Sequence, residues 1–174
     1  TDTDTDTDTD TDTDTDTDGD TGSSGLTGTG YAKGDVAYNL TATSQSGGSW
    51  SLHSKYGSNV VLVLGHMYSG NSLVDIMEYL GEVEDDFSGL TTAAVVGYDE
   101  DTLLADSEDA LRWASDSGVS AVLIDPTLTH LNDWASGGNT AKLYLIDEQM
   151  VIAWVSSGNT SESTLRSRIE DLDQ

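Results

Sequence analysis

Asn59-Val60-Val61-Leu62-Val63-Leu64-Gly65-His66-Met67-Tyr68-Ser69-Gly70-Asn71-Ser72-Leu73-Val74-Asp75-Ile76-Met77-Glu78-Tyr79-Leu80 is the stretch on which the fold turns. Val60 to Leu64 is a short apolar run rich in β-branched residues, the pattern of a strand buried on both faces. A turn is expected over Gly65 to Gly70. Beyond it Leu73, Ile76, Met77, Leu80, Val83 and Phe87 recur at helical spacing, so the chain passes from a buried strand into an amphipathic helix. In a parallel α/β sheet, sites are built in the crevice beyond a strand's carboxyl end. The residues placed there are Tyr68, Ser69, Gly70, Asn71 and Ser72.

Outward from this stretch, the other elements follow in order. Asp35 to Thr43 reads as a first strand, alternating at Val36, Tyr38 and Leu40, and Gln45 to Leu52 as a hairpin turned at Gly47-Gly48. Thr91 to Tyr98 is a second buried strand. A helix is expected from a cap at Asp106 or Ser107 to a stop at Gly118, with Leu111 and Ala114 inward. Ser120 to Asp125 is a short strand ended by Pro126, and Thr127 to Ser136 forms one or two helical turns around Leu128, Leu131 and Trp134. Ala141 to Asp147 and Met150 to Val155 form a hairpin turned at Glu148-Gln149. The last helix starts near Asn159, with Glu162 placed for a capping box and Leu165, Ile169 and Leu172 inward.

The central stretch resembles the active-site segment of the thioredoxin-like superfamily, especially the redoxin, TlpA-like and AhpC/TSA group. There a buried strand runs into an aromatic residue and then Cys-x-x-Cys at a helix start. Here Tyr68 takes the aromatic position, and Ser69 and Ser72 fall where the two cysteines would be. Leu123-Ile-Asp-Pro126 and Tyr144-Leu-Ile-Asp147 echo further family segments, so the resemblance spans about residues 35 to 172. It implies an α/β fold, a three-layer α/β/α sandwich with a central mixed sheet and an N-terminal β-hairpin extension. The group's chemistry requires a thiolate that attacks a disulfide, and a serine hydroxyl titrates far too high for that role. The group's cis-proline position corresponds to Thr140 or Ala141, and a non-proline cis bond costs about 3 kcal/mol, so a trans peptide is expected.

Composition narrows the function classes. The 174 residues carry 32 acidic and 6 basic side chains, a net charge of -26. Nucleic acid is excluded as a natural partner, because phosphate neutralisation needs Lys and Arg; anionic membranes are disfavoured likewise. With no cysteine, disulfide, zinc-thiolate and thiol chemistry are all absent. No apolar run approaches the roughly 20 residues of a membrane span. A chain starting at Thr1 reads as a processed, exported form, extracellular or on a bacterial cell surface, with a lipid anchor expected upstream in the precursor.

Two regions are expected, an acidic segment over residues 1–30 and a domain over residues 31–174. The first opens as a Thr-Asp repeat from Thr1 to Asp18 and continues as a Gly/Ser/Thr linker. One apolar residue among thirty cannot bury enough surface to fold, and extended it reaches about 100 Å. Asp14, Asp16, Asp18 and Asp20 match the first half of an EF-hand loop, but the twelfth position is Gly25 rather than Glu. Loose binding of calcium or another divalent cation is the expectation there, and no other cofactor is expected. Thr1, Thr3, Thr5, Thr7, Thr9, Thr11, Thr13, Thr15 and Thr17 are candidate O-glycosylation sites; Asn39 and Asn159 match the N-glycosylation triplet. The repeat is also a candidate assembly segment, joining subunits into a filament.

Other sites receive plainer readings. The redoxin group that this chain resembles includes copper-delivery proteins, which use two cysteines and a distant histidine; His66 and Met67 without cysteines make a poor metal site, so a partly exposed loop histidine is expected. Ser69 with His66 as base has no third residue to orient the imidazole. His53 and His130 are packing or surface residues. Glu82 to Asp86 and Asp99 to Asp101 are solvated acidic clusters. Tyr68, Gly70, Asn71 and Trp134 are candidates to line a peptide or ligand groove. The leading expectation is a redox-inactive binding or structural module on an acidic tether, working through another protein or self-association. The alternative is a thiol-disulfide oxidoreductase or peroxiredoxin represented by its Cys-to-Ser form.

Overall fold

The computed structural model describes residues 25–68, 72–136 and 140–172. Seven strands form one sheet: β1 (Thr41–Ser44), β2 (Ser49–Ser51), β3 (Asn59–Gly65), β4 (Leu90–Val96), β5 (Ala121–Ile124), β6 (Lys142–Ile146) and β7 (Ile152–Ser157). Among the described residues four α-helices accompany them: α1 (Ser72–Asp86), α2 (Ser107–Ser117), α3 (Thr129–Ala135) and α4 (Glu162–Glu170). The strand order is β2-β1-β5-β4-β3-β6-β7. β3 pairs parallel with β4 and antiparallel with β6, so the sheet is mixed.

The apolar run of β3 follows from its place between two strands with both faces covered. Val61 and Val63 enter the core shared with α1, α2 and α4, while Val60, Leu62 and Leu64 enter the core shared with α3 and the N-terminal segment. β4 divides in the same way, Ala94 and Val96 against Ala93 and Val95. Period-two side chains thus build both cores from one continuous run. In α1 the expected stripe of Leu73, Ile76, Met77, Leu80 and Val83 is buried. α1 also passes close to the end of α2, where a Cβ on Gly81 would lie 2.2 Å from the Ser117 carbonyl oxygen.

Several expected boundaries shift. The stretch Asp35 to Leu40 is not one strand with β1. Val36 bridges to Val151 and the Ala37 amide donates to the Met150 carbonyl at 2.8 Å, so this part pairs beside the β6–β7 turn before the chain changes partner. Tyr38, expected to face inward, is exposed. The β1–β2 hairpin does turn through Gly47, whose φ of 81° is a conformation glycine adopts at no steric cost. Within the linker, Leu26 packs against the second core and Thr29 exchanges hydrogen bonds with Val36.

α2 begins with Asp106 in a capping box with Asp109 and stops at Gly118 in the left-handed conformation. Its inward residues, however, are Ala110 and Trp113, with Ala114 beside them; Leu111 is 54% exposed, one helical step off the buried stripe. α4 is capped by Ser161, whose hydroxyl accepts from the Thr164 amide. Glu162 is therefore the first helical residue, not the third of a capping box, and it pairs with Arg166 at 2.7 Å. Asn159 instead ties the helix start to α1, its Nδ2 donating to Asp75 at 3.0 Å.

Candidate functional site

β3 delivers Gly65, His66, Met67 and Tyr68 to the carboxyl edge of the sheet. The ladder continues past the strand: Gly97 N–H donates to the Gly65 carbonyl at 3.1 Å, and Met67 N–H to the Tyr98 carbonyl at 2.9 Å. Because side chains alternate, His66 follows Leu64 onto the α3 side and Met67 follows Val63 onto the α1 side. Ser72 opens α1 immediately beyond. Ser69, Gly70, Asn71 and the Ser72 side chain lie outside the described residues, as do Thr1 to Thr17 and the tail aspartates Asp14, Asp16, Asp18 and Asp20.

His66 is not the partly exposed loop residue the sequence suggested. It is 5% exposed, stacked on Tyr68 at 5.2 Å between ring centroids and tilted against Tyr98 at 5.0 Å. Gly97 makes room for it: a Cβ there would come within 3.1 Å of the imidazole and nearer still to Leu128 and Leu131. Nδ1 is buried with no hydrogen-bond partner. Burial lowers the His66 pKa, because the charged imidazolium loses water and gains nothing in return. Among the described residues no group orients Nδ1, as a general base would require.

On the opposite side Met67 looks into an open cleft of about 230 Å³ between α1 and α2. Val74, Met77 and Trp113 complete its apolar lining, and Glu78 and Asp116 stand on its rim. Glu100, expected as a solvated acid, braces one end. It accepts from Arg112 at 2.9 and 3.0 Å and from the Trp113 indole at 2.8 Å. The Arg112 hydrogen bond is the main reason that its carboxyl pKa is lowered to about 2.

Glu84 also departs from the reading of Glu82 to Asp86 as a solvated helix end. Its carboxylate accepts from the Ser120 hydroxyl at 2.7 Å and from the buried Thr92 hydroxyl, joining α1 to β4 and β5. Among the described residues no cluster of His, Asp and Glu has metal-binding proximity, and no helix is long and apolar enough to cross a membrane.

Trp134 is 3% exposed and stands edge-on to Tyr144 and Tyr31, so it is a core residue that offers no surface to a groove. Ala141 is fully buried, Thr140 is exposed, and the bond between them is trans. His53 is buried with Nε2 2.8 Å from the Ala37 carbonyl, and His130 reaches the Thr41 carbonyl at 3.0 Å. Asn39 is exposed and its Oδ1 accepts from Ser51 and the His53 amide. Asp125, read from the sequence only as a strand end within the Leu123-Ile-Asp-Pro126 segment, has a role of its own. It is 2% exposed and its carboxylate accepts from the amides of Thr129 and Leu131, anchoring α3. The available signal was an aspartate just before Pro-Thr-x-Thr, a pattern in which a carboxylate satisfies free helix-start amides.

The fold is thioredoxin-like, as solved structures with the same architecture show. A thiol:disulfide interchange protein from a Bacteroides species superposes with a TM-score of 0.64 at 19% identity, over 82% of this chain and 91% of that one. A secreted Mycobacterium tuberculosis disulfide oxidoreductase homologous to Escherichia coli DsbE gives 0.63 at 15%, over 76% and 96%. The reduced 2-Cys peroxiredoxin of Plasmodium vivax gives 0.66 at 14%, over 81% and 96%. No protein-family model and no curated protein matches the chain. At these identities the likeness establishes the fold.

Proposed function

We propose that the domain is the frame of a thiol-disulfide oxidoreductase in which Ser69 and Ser72 stand at the two thiol positions. The observation that carries the reading is local. A doubly buried β3 leads through Tyr68 into α1, whose first residue is Ser72, within a fold shared with a thiol:disulfide interchange protein and a peroxiredoxin. In such a frame the first thiol, as thiolate at a helix start, attacks a disulfide sulfur, and the second resolves the mixed disulfide. The chain as it stands has no sulfur to perform either step.

The neighbours favour this oxidoreductase reading over that of a module never meant for thiols. A Ser69→Cys, Ser72→Cys variant tests it. Thiol-dependent reduction of insulin by the variant, and none by the present chain, is the expected pair of results; an inert, folded variant overturns the reading.

The redox-inactive binding module is the second reading, and one observation favours it specifically: the whole chain lacks cysteine and also lacks proline at Thr140 and Ala141. On that reading the tail is an extracellular or surface tether. Divalent cations, glycosylated threonines or filament contacts would then act at the Thr-Asp repeat. Intact-mass measurement on the native protein and light scattering after removal of residues 1–24 test those roles. An unmodified mass with unchanged assembly leaves the repeat as a spacer.

A further inference from the structure

We propose that the cleft between α1 and α2 docks an extended cationic segment of another polypeptide, with apolar anchor side chains set between its basic residues. The proposal rests on the oxidoreductase-frame reading only for its context, because Met67 in the cleft floor directly precedes Tyr68, the residue before the first thiol position. At about 230 Å³ the cleft falls below the roughly 300–1,000 Å³ of drug-sized ligand sites, so it suits anchor side chains better than a bulky cofactor. Its lining is suited to a peptide. Met67 and Met77 supply unbranched, polarisable thioethers that adapt to different shapes, beside the rigid indole of Trp113.

The rim selects the sign of the partner. Arg112, the one basic residue among the described residues that line the cleft, is already held by Glu100 and by Asp109 at 2.8 Å. Glu78 and Asp116 are exposed on the rim and form no ion pair among the described residues. Two uncompensated carboxylates flanking an apolar floor complement Lys or Arg flanking an apolar side chain. A second copy of this chain is a poor occupant, since it brings a net charge of -26 to an acidic rim.

The test uses the chain as it exists, and needs no thiol, so its outcome is separate from the insulin assay. Fluorescein-labelled Lys-Leu-Lys-Met-Lys is titrated in about 0.15 M salt, where exposed charges are screened beyond about 8 Å. Lys-Gly-Lys-Gly-Lys and Glu-Leu-Glu-Met-Glu are the comparison peptides. Saturable one-to-one binding of the first peptide alone is expected. Glu78→Lys with Asp116→Lys should weaken it about tenfold or more, while Glu148→Lys with Asp133→Lys, the same charge change elsewhere, should leave it within about twofold. Methyl-methionine NMR of the unmodified chain gives a readout independent of variant folding: Met67 and Met77 should shift and Met150, buried in the β6–β7 turn, should not. Equal binding of the glycine or acidic peptide, equal weakening by the two charge swaps, self-association without peptide uptake, or uniform methionine shifts would each overturn the proposal.

Discussion

His66 and Met67 are neighbours in the chain and lead to opposite surroundings. His66 is sealed between Tyr68, Tyr98 and the α3 side of the sheet, with an imidazole nitrogen that finds no partner among the described residues. Met67 is also buried, yet it floors a cleft open to solvent between α1 and α2. The cause is the two-residue period of the strand, which carries β3's alternation one step past its end. What differs is the cover. On the α3 side, Leu128 and Leu131 close over Gly97; on the other, Gly81 of α1 meets Ser117 and Gly118 at the end of α2, and the cleft opens beside that contact, lined by Val74 and Met77 of α1 and Trp113 of α2. Both faces carry a core, but beyond the end of β3 one side is closed over and the other opens to solvent.

If the α3 side is core, deleting its cover should cost most. Leu131→Ala is expected to destabilise the domain by about 2–5 kcal/mol, the range for a buried leucine replaced without full collapse of the cavity. Urea denaturation measures it, and a loss within error of zero would mean that this side is as yielding as the cleft. Next in size is Gly81→Ala at the point where α1 meets α2. A Cβ 2.2 Å from a backbone oxygen cannot be absorbed by rotating a side chain, so about 1–3 kcal/mol of strain is expected. The same substitution should widen the cleft, which the methyl shifts of Met67 and Met77 would report.

His66 sharpens the contrast through pH. Its folded pKa lies below the unfolded value of 6.5, so the unfolded chain takes up the proton first. Stability from this group is therefore complete above pH 6.5 and falls as pH drops from there toward the depressed folded value, by at most about 1.4 kcal/mol per pH unit. His66→Phe should flatten the change in urea midpoint between pH 7 and pH 5.5; an identical acid limb in both proteins would place the titrating group elsewhere. The smallest effect belongs to the cleft. Glu100 and Arg112 are both nearly half exposed, so Glu100→Gln should cost only about 0.2–1 kcal/mol. Its contribution is complete well above the unfolded carboxyl's 4.5 and is lost progressively as pH falls from there to its lowered value of about 2. A loss several times larger would show that Glu100 holds Trp113 and the cleft wall in place.

Patterns that depend on neighbours along the chain are legible in the sequence itself. The doubly apolar run Val60 to Leu64, the stripe from Leu73 to Val83, the Gly47 turn and the Asp106-to-Gly118 limits of α2 are such patterns. Each is dictated by local backbone geometry or by a period that repeats within a few residues. Element order, taken with the family resemblance, was enough to reach the thioredoxin-like fold. The zero cysteine count likewise settled from composition that this chain performs no thiol chemistry of its own.

What tertiary structure alone decided is where each polar group finds its partner. Val36 and Tyr38 look like one alternating strand, yet the first pairs with Val151 and the second faces solvent. Glu84, Glu100 and Asp125 look alike as acids in polar stretches. One serves Thr92 and Ser120 across the sheet, one clamps Arg112 and Trp113, and one caps α3. Trp134 looked like a groove wall and is core. The reason is common to all of them. Burial and hydrogen bonding depend on groups brought together from distant positions, and a buried carboxylate persists only where such groups meet it. A sequence records which residues are available for those meetings, while the packing of α1, α2 and α3 on one sheet determines which of them occur.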